Sequence, residues 1–399
     1  MKIFCAILIL FCCCIAFAEK QNLQIEDEFQ LEVASDPQIS PSGNAVVYVR
    51  QFADSKTDKR YSNLWIVDTN GSNHRPLTSG NFGDSSPRWS PDGSKIAFIS
   101  NRDGSAQIHM LWLQTGQIAR ISNLSNDPAQ LSWSPDGKWI AYLAIAKTNK
   151  APMIKMPEKP EGATWAEPAK VIDRLMYRFN RVGYLPDGYW HLFAISAEGG
   201  TPIQISHGDY HHTDFLGASG SPVWSPDSKA ILISANRRDD WDYEPLDTEV
   251  HEFSFPDGVV KTLTNQRGPD NSAAISPDGK SIAYVGFDDR YQGYQLTKLY
   301  VANRDGSSPK VLSDSLGLDV GQPAWSYDGK RVYITYEEKG ITKLGYYTLD
   351  GKLQTVASNL GSGLISTSGA TQFSLAKNGN IAFAVKSWDN PSDVAVVST

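Results

Sequence analysis

The stretch Trp89-Ser90-Pro91-Asp92-Gly93 decides the fold, because versions of it return along the whole chain. Its serine recurs at positions 40, 90, 134, 225, 276, 326 and 374. The other copies are Ile39-Ser40-Pro41-Ser42-Gly43, Trp133-Ser134-Pro135-Asp136-Gly137, Trp224-Ser225-Pro226-Asp227-Ser228, Ile275-Ser276-Pro277-Asp278-Gly279, Trp325-Ser326-Tyr327-Asp328-Gly329 and the degenerate Phe373-Ser374-Leu375-Ala376-Lys377-Asn378-Gly379. Most steps are about 45–50 residues, the length of a four-stranded propeller blade.

The residues of this phrase are those of a tight hairpin turn. Proline presets φ at the first turn position, aspartate bonds backbone amides, and glycine takes the left-handed position that closes the turn. An alternating apolar strand follows each copy, as at residues 95–99 and 281–285, and two more strands follow in each unit. The tryptophan before the turn is expected to be core between neighbouring blades.

The repeats predict an all-β fold, a seven-bladed β-propeller with four-stranded antiparallel blades. Residues 19–399 are expected to form this one domain. The chain stops at residue 399, partway through the seventh unit, so we expect the last blade to be incomplete, with an unpaired strand edge.

The links between the second and third strands differ from unit to unit. They are predicted to be long at residues 50–62, 145–188, 236–247 and 287–295, the second of these being an insertion in the third blade. Such links emerge on one face of a propeller, and variable loops on a rigid scaffold usually carry function.

The insertion carries candidate substrate-binding residues. Its alternating residues 171–179 predict a hairpin that projects from the blade, and side chains there could meet a peptide carboxylate or an aromatic group. The candidates are Arg174, Tyr177, Arg178, Arg181 and Tyr184. A solvated structural hairpin is the alternative.

Residues 1–18 are interpreted as a signal peptide, because an apolar run after Lys2 ends in Ala16-Phe17-Ala18, a small-x-small cleavage pattern. A lipoprotein anchor at Cys12, Cys13 or Cys14 and a buried core segment are the alternatives. All 4 cysteines lie in this segment, which leaves the predicted mature chain without a disulfide. These features predict a periplasmic or secreted protein without a membrane span.

Charge and motifs narrow the function. The 37 basic and 44 acidic residues are interspersed, which argues against nucleic acid as a partner. Gly-x-Ser-x-Gly is absent; the nearest stretch, residues 217–221, lacks the final glycine. We therefore predict no catalytic residue, and we predict no cofactor.

The sequence offers two candidate types of metal site, a cluster of histidines with aspartates and pairs of aspartates in loops. The densest ligand-like group is His207, Asp209, His211, His212 and Asp214. Neighbouring strand residues point to opposite faces, so His211 and His212 cannot both join one site, and hydrogen bonding is the favoured role. The pairs Asp239-Asp240 and Asp288-Asp289 lie in predicted long loops, where solvation is usual and calcium binding is the open alternative.

The chain resembles the N-terminal propeller of the prolyl oligopeptidase family of serine peptidases, in its acylaminoacyl-peptidase and dipeptidyl-aminopeptidase-like branch. The resemblance is carried by residues 28–41 at the entry to the first blade and by Tyr177-Arg178-Phe179 through Gly183-Tyr184-Leu185 to His191-Leu192-Phe193. It implies a propeller that caps an α/β-hydrolase domain and filters the peptides that reach a Ser-Asp-His triad.

The resemblance implies a function without catalysis in this chain. We expect the substrate-gating part of a secreted or periplasmic serine peptidase, present as a truncated product or fragment without the hydrolase domain. Its expected partners are peptides or a hydrolase domain on the face of the long links. The alternative is a self-sufficient binding or scaffold propeller of the TolB type, since the turn phrase also occurs there.

Overall fold

Each copy of the repeated phrase connects the first two strands of an antiparallel group, and we call the strands around one copy a unit, numbered one to seven. The computed structural model describes residues 22, 24–148, 157–166, 170–180, 182–213, 220–361 and 373–399. The predicted signal peptide, residues 1–18, lies outside the described residues.

Units one to three follow a short 3-10 helix, Ile25–Gln30. Unit one contains β1 (Val33–Ile39), β2 (Ala45–Asp54), β3 (Lys59–Asp68) and β4 (Arg75–Pro76). Unit two contains β5 (Ser85–Trp89), β6 (Lys95–Ser100), β7 (Gln107–Trp112) and β8 (Ile118–Arg120). Unit three contains β9 (Ala129–Trp133), β10 (Trp139–Ala146), the inserted β11 (Arg178–Phe179) and β12 (Gly183–Tyr184), then β13 (Tyr189–Ser196) and β14 (Ile203–Gln204).

The second half of the chain repeats the pattern. Unit four contains β15 (Val223–Trp224), β16 (Ala230–Ala235), β17 (Glu249–Ser254) and β18 (Val260–Thr262). Unit five contains β19 (Asp270–Ile275), β20 (Ser281–Gly286), β21 (Lys298–Asn303) and β22 (Lys310–Val311). Unit six contains β23 (Val320–Trp325), β24 (Arg331–Glu338), β25 (Ile341–Thr348) and β26 (Leu353–Leu360), and unit seven contains β27 (Phe373–Leu375), β28 (Asn380–Ser387) and β29 (Asn390–Ser398).

The strands pair in sequence order, as predicted for propeller blades. Units one to five each form a four-stranded antiparallel sheet, and β11 pairs with β12 separately. Units six and seven share one seven-stranded sheet, in which the single register pair Leu360↔Val385 joins β26 to β28. Among the described strands, β29 pairs with β28 alone. The all-β propeller architecture is thus confirmed.

The repeated phrase closes its turn through one hydrogen-bond pattern. In unit two the Ser90 hydroxyl donates to Asp92 Oδ1 (2.5 Å) and accepts from the Lys95 backbone N–H (2.9 Å), while Asp92 Oδ1 also accepts from the Ser94 N–H (3.0 Å). The Ser90 bond is the main reason that the pKa of Asp92 falls to about 2. Gly93 has φ +73°, in the left-handed region that glycine tolerates best. The predicted turn chemistry is confirmed.

Tryptophans before the turn connect neighbouring units. The indole N–H of Trp89 donates to the Gln38 carbonyl of the preceding unit (2.8 Å), and Trp133 donates to the Arg88 carbonyl (3.0 Å). Trp224 and Trp325 make the same kind of bond, at 3.1 and 3.2 Å. Their predicted place between blades is confirmed, with a hydrogen bond added to the packing.

The core is divided into buried clusters that lie between successive units. Val47 and Leu64 of unit one, for example, pack with Ile96 and Phe98 of unit two. Ile39 of unit one packs with Ala382 of unit seven, so the first and last units are in contact. Ser392 Oγ also donates to the Ala34 carbonyl across this contact (2.7 Å). The first strands of all seven units line a central cavity of about 710 Å³.

One predicted long link is wrong. Residues 50–62 were expected to be a loop, but β2 and β3 continue through them, and only residues 55–58 connect the two strands. The rings of Phe52 and Tyr61, which are register partners, lie 5.9 Å apart, and the Arg50 guanidinium lies 4.2 Å from the Trp65 ring centroid. These cross-strand contacts extend the hairpin beyond the sheet.

The other three predicted links lie between the second and third strands of their units. The insertion runs from the end of β10 to the start of β13, and residues 236–248 and 287–297 connect the corresponding strands in units four and five. The predicted hairpin of residues 171–179 is present but lies later, where Arg178 pairs with Tyr184 and Phe179 with Gly183.

Candidate functional site

The insertion of unit three and the long link of unit four meet on the face of the propeller that carries the second-to-third-strand links. The contact depends on Asp242, whose carboxylate accepts a hydrogen bond from the Leu175 backbone N–H (2.6 Å). Arg174 holds the other limb of the insertion, because its guanidinium donates to the Pro186 carbonyl (3.1 Å). Two segments far apart in sequence are therefore fixed side by side.

A cavity of about 260 Å³ lies between these two segments. Its wall is mainly apolar, with a few polar groups among large side chains. The lining residues are Ile145, Arg174, Leu175, Met176, Leu185, Pro186, Gly188, Trp190, His211, Thr213, Asn236, Trp241, Asp242, Pro245 and Thr248. Binding cavities for small ligands commonly combine apolar walls with a few polar groups in this way.

Two aromatic rings, those of His211 and Trp241, line one side of the cavity, and the ring of Tyr189 packs against both of them. The rings of Tyr189, His211 and Trp241 lie within 5.2–5.9 Å of one another, in edge-to-face arrangements. Edge-to-face rings at this separation attract each other and hold their positions. This side of the cavity is therefore a fixed aromatic wall.

His211 contributes to this wall as a neutral ring. Its Nδ1 accepts the Trp190 backbone N–H (3.2 Å), which places the ring hydrogen on Nε2. Burial, assisted by the nearby positive charge of Arg174, lowers the pKa of His211 to about 4. At neutral pH the fixed charges at the cavity are those of Arg174 and Asp242.

The predicted candidate residues separate into two groups. The Arg174 side chain is 14% exposed and lines the cavity. Tyr177, Arg178 and Tyr184 lie instead on the exposed outer part of the insertion, where the two tyrosine rings are 6.1 Å apart. Arg181 lies outside the described residues. Sequence reasoning missed Trp190 and Trp241, whose separation in the chain gave no sign that they meet.

The predicted histidine group is divided in the structure. His211 faces Tyr189 and Trp241, whereas His212 packs on His191 (4.9 Å between ring centroids), so the two neighbours point to opposite sides as expected. Burial lowers the pKa of both His191 and His212. Within the described part of the chain, no three His, Cys, Asp or Glu side chains are arranged to hold a metal ion. Asp214 lies outside that part.

Exposed aromatic side chains are frequent on the same face. Tyr243 in the link of unit four is 76% exposed, Tyr294 in the link of unit five is 71% exposed, and Trp388 between β28 and β29 is 97% exposed. Together with Tyr177 and Tyr184 of the insertion they form what we call the long-link face. Large exposed apolar groups concentrated on one surface are typical of contact sites.

The described residues contain one helix, the six-residue 3-10 helix at Ile25–Gln30. Residues 217–219, part of the nearest match to a nucleophile elbow, lie outside the described residues. In the described ranges no helix is both long and apolar enough to cross a membrane.

Comparison with known proteins relates this chain to peptidases. A family model described as the TolB β-propeller domain matches residues 20–163. The chain is 27% identical over 348 residues to the uncharacterized peptidase YuxL of Bacillus subtilis, covering 83% of this chain and 51% of the relative. It is 26% identical over 347 residues to dipeptidyl-peptidase 5 of Porphyromonas gingivalis, covering 84% and 49%. The chain is related to peptidases through its propeller.

A solved structure agrees on the fold. The β-propeller domain of the trilobed protease from Pyrococcus furiosus superposes with a TM-score of 0.60 at 18% identity, over 92% of this chain and 93% of that domain. The predicted resemblance to peptidase propellers is thus confirmed. The chain spans about half the length of the two peptidases that it matches.

Proposed function

We propose that this chain is the non-catalytic propeller of a secreted or periplasmic serine peptidase, and that it admits peptide substrates at the long-link face. The observation that carries the proposal is the match of this propeller to about half the length of two peptidases. In this role the chain selects and positions peptides, and bond cleavage occurs at a hydrolase domain that meets the same face.

The cavity between units three and four supports a peptide as the ligand. Its apolar wall and its volume of about 260 Å³ suit one large apolar side chain. Because the His211 ring is neutral, an apolar group can pack against it without burying a charge. Arg174 lies at the same cavity and offers a cation for a peptide carboxylate or carbonyl.

The exposed aromatic groups support a protein partner on the same face. Tyr243, Tyr294 and Trp388 are each more than two-thirds exposed and belong to three different units. Aromatic side chains are enriched in protein interfaces, because they bury large areas when a partner covers them. A hydrolase domain placed over this face would close the peptide cavity from solvent.

Peptide titration tests this proposal. Trp190 and Trp241 report on the cavity, so binding of the tripeptide Gly-Phe-Gly is expected to change tryptophan fluorescence, and triglycine is expected to bind at least tenfold more weakly. Trp241→Ala should weaken Gly-Phe-Gly binding by at least tenfold, measured by calorimetry. Tyr327→Ala, in the turn of unit six on the opposite face, is the matched control and should leave binding unchanged.

Catalysis provides the second arm of this test. The purified chain is expected to hydrolyse no aminoacyl or dipeptidyl chromogenic substrate and to remain unlabelled by a fluorophosphonate. Labelling of a serine in this chain would contradict the proposal, as would equal peptide binding by the wild type and Trp241→Ala.

A TolB-type binding propeller is the second candidate, favoured by the family model that matches residues 20–163. This candidate predicts that the purified chain melts cooperatively without a hydrolase domain, binds no short peptide at the cavity, and forms a stable complex with an envelope protein. The peptide titration therefore separates the two functions.

The proposal includes export and a ring of seven blades. We infer that residues 1–18 are removed as a signal peptide, and N-terminal sequencing of protein from the periplasm or culture medium should begin near Glu19. We also infer that the seven-stranded sheet is two blades, since one register pair joins them. A cryo-electron or crystal structure with seven radial sheets would support this count.

A further inference from the structure

Asp270, the first residue of β19, is a buried carboxylate with no cation beside it. Its side chain is 0% exposed and, among the described residues, pairs with no cation; the polar groups beside its carboxylate are the Thr264 hydroxyl, Glu249 and the Gln266 backbone, none at a standard hydrogen-bond geometry. Burying a charged carboxylate in this way costs several kcal/mol unless a partner compensates it. The position therefore calls for a ligand or a proton.

A second acid lies next to Asp270. Glu249, the first residue of β17, accepts a hydrogen bond from the Thr264 hydroxyl and interacts directly with Asp270. Burial raises the pKa of Asp270 to about 7 and that of Glu249 to about 8, and the nearby negative charge of Asp247 adds to both effects. Two neighbouring buried acids with raised pKa values are both short of compensating positive charge, which a bound proton or a cation can supply.

The third carboxylate of this region is already paired. Asp247 accepts hydrogen bonds from Arg238 Nη1 (2.9 Å) and from the Gly268 backbone N–H (2.7 Å). Arg238 also binds Asp240 (2.7 Å) at the surface. The Arg238 guanidinium is thus engaged with Asp247 and Asp240.

The repeat identifies what Asp270 lacks. Asp84 and Asp270 each lie six residues before the repeat serine of their units, and both are 0% exposed. In unit two, Arg102 Nη2 lies 2.9 Å from each Asp84 oxygen. Arg102 is twelve residues after Ser90, and the residue twelve after Ser276 is Asp288. Unit five therefore has an acid where unit two supplies its cation.

Gly286 makes room beside Asp270. Its φ is outside the left-handed region, so the backbone does not require glycine there, but a Cβ would lie 2.2 Å from the Pro269 carbonyl oxygen and 2.4 Å from Asp270 Oδ1. The equivalent residue of unit two is Ser100. The absence of a side chain at Gly286 thus allows a backbone carbonyl and a carboxylate oxygen to lie together.

We propose that Asp270 and Glu249 bind a divalent cation that prefers oxygen ligands, of the Ca²⁺ type, between units four and five. The two carboxylates balance its charge, and the Thr264 hydroxyl, the Pro269 carbonyl and water are neutral oxygen ligands of the kind that Ca²⁺ accepts. The cation takes the role that Arg102 has beside Asp84.

Terbium luminescence tests the site directly. Tb³⁺ replaces Ca²⁺ at oxygen sites and emits when a nearby aromatic ring absorbs. Tyr284 is such a ring: burial raises its pKa, and the nearby charges of Asp270 and Glu249 add to this effect. Wild-type protein at pH 8 should give saturable Tb³⁺ emission that excess Ca²⁺ abolishes. Asp270→Asn and Glu249→Gln should each weaken Tb³⁺ binding by at least tenfold.

Matched controls separate this site from the acidic loops at the surface. Asp288→Asn and Asp239→Asn remove exposed loop carboxylates and should leave Tb³⁺ affinity unchanged. Because Asp270→Asn is isosteric and removes a buried charge, we expect it to fold, and circular dichroism checks this. Glu249→Gln provides an independent reading if Asp270→Asn does not fold.

Thermal melting gives the second readout. Ca²⁺ should raise the Tm of the wild type at pH 8 relative to EDTA, and should leave the Tm of Asp270→Asn unchanged. The proposal is wrong if Ca²⁺ and EDTA give the same wild-type Tm, or if Asp270→Asn binds Tb³⁺ as tightly as the wild type. In the first case a proton shared by the two acids fills the site.

Discussion

Asp84 and Asp270 occupy the same position in two repeats of one fold, yet their surroundings have opposite charge. Asp84 faces the guanidinium of Arg102, whereas Asp270 faces Glu249. Both aspartates also donate their backbone N–H to the preceding unit, at the carbonyls of Ser62 and Thr248. The repeat therefore fixes where the backbone and the acid lie, and the residue twelve positions after the repeat serine decides how the buried charge is balanced.

The same two interfaces differ in a second contact. Between units one and two, Trp89 donates its indole N–H to the Gln38 carbonyl, but the residue at that position in unit five is Ile275, which has no donor. The interface of units four and five thus lacks both the ion pair and the indole hydrogen bond of its counterpart. Units four and five are joined instead by other contacts, among them the ion pair of Arg304 with Glu252 and the hydrogen bond from Thr248 Oγ1 to Asn271 Oδ1 (2.9 Å).

Removing the cation of unit two should have the largest effect. Arg102→Ala leaves Asp84 buried and unpaired, and we expect the free energy of unfolding to fall by about 3–5 kcal/mol in urea denaturation. Arg238→Ala is the control, because the Arg238 side chain is 49% exposed and its ion pairs should contribute less than about 1 kcal/mol. An equal loss of unfolding free energy in the two variants would contradict the claim that the buried ion pair contributes more than the exposed ones.

Above about pH 7, where the buried histidines are neutral in both the folded and the unfolded chain, the pH dependence of stability should come from unit five. The folded protein binds protons at Asp270 and Glu249 with pKa values of about 7 and 8, above those of the unfolded chain. Between about pH 7 and pH 8.5 the folded state therefore holds more protons, so stability should fall as pH rises, by on the order of 2 kcal/mol in metal-free buffer.

The control for this pH effect is the pair of variants at the same acids. Asp270→Asn and Glu249→Gln should flatten the fall in Tm between pH 7 and pH 8.5, whereas Asp288→Asn should leave it unchanged. A wild-type Tm that rises over this range would show that the two acids are ionised without cost.

The matched substitutions Asp84→Asn and Asp270→Asn should have opposite signs. At pH 8 in EDTA, Asp84→Asn leaves Arg102 without its carboxylate and should destabilise the protein, while Asp270→Asn removes an uncompensated charge and should stabilise it. We expect changes of about 2 kcal/mol in each direction from denaturant unfolding. Destabilisation by both variants would contradict the claim that the buried charge is compensated at Asp84 but not at Asp270.

The indole contact should have the smallest effect. Trp89→Phe keeps an aromatic ring but loses the hydrogen bond to the Gln38 carbonyl, which should cost about 1 kcal/mol in thermal or urea unfolding. Trp388→Phe, at a side chain that is 97% exposed, should change stability by less than this and serves as the control.

The repeated phrase allowed the propeller, the order of its strands and the place of its turns to be predicted, because Ser90, Asp92 and Gly93 act within one short turn. The link at residues 50–62 was predicted wrongly, since pattern alone does not show that Phe52 and Tyr61 pair across two extended strands. The lining of the cavity could not be predicted, because Arg174 and Trp241 meet only through the docking of an insertion.

The buried acids are an intermediate case. Aligning the units on their repeat serines places Asp84 with Asp270 and Arg102 with Asp288, so the missing cation is visible in the sequence once the repeat is known. That Glu249 approaches from the preceding unit is visible only in the fold. Aligning the repeats therefore shows that Asp270 lacks the cation that Asp84 has, and the structure shows that a second acid lies beside it.

Hydrogen–deuterium exchange of the whole chain with and without Gly-Phe-Gly tests the proposed function most directly. In the presence of peptide, we expect slower exchange at residues 170–180, 189–191 and 236–248, and unchanged exchange at the turn of unit six around Tyr327. Bound peptide that slows exchange only on the turn face, or nowhere on the long-link face, would contradict the claim that this face receives substrates.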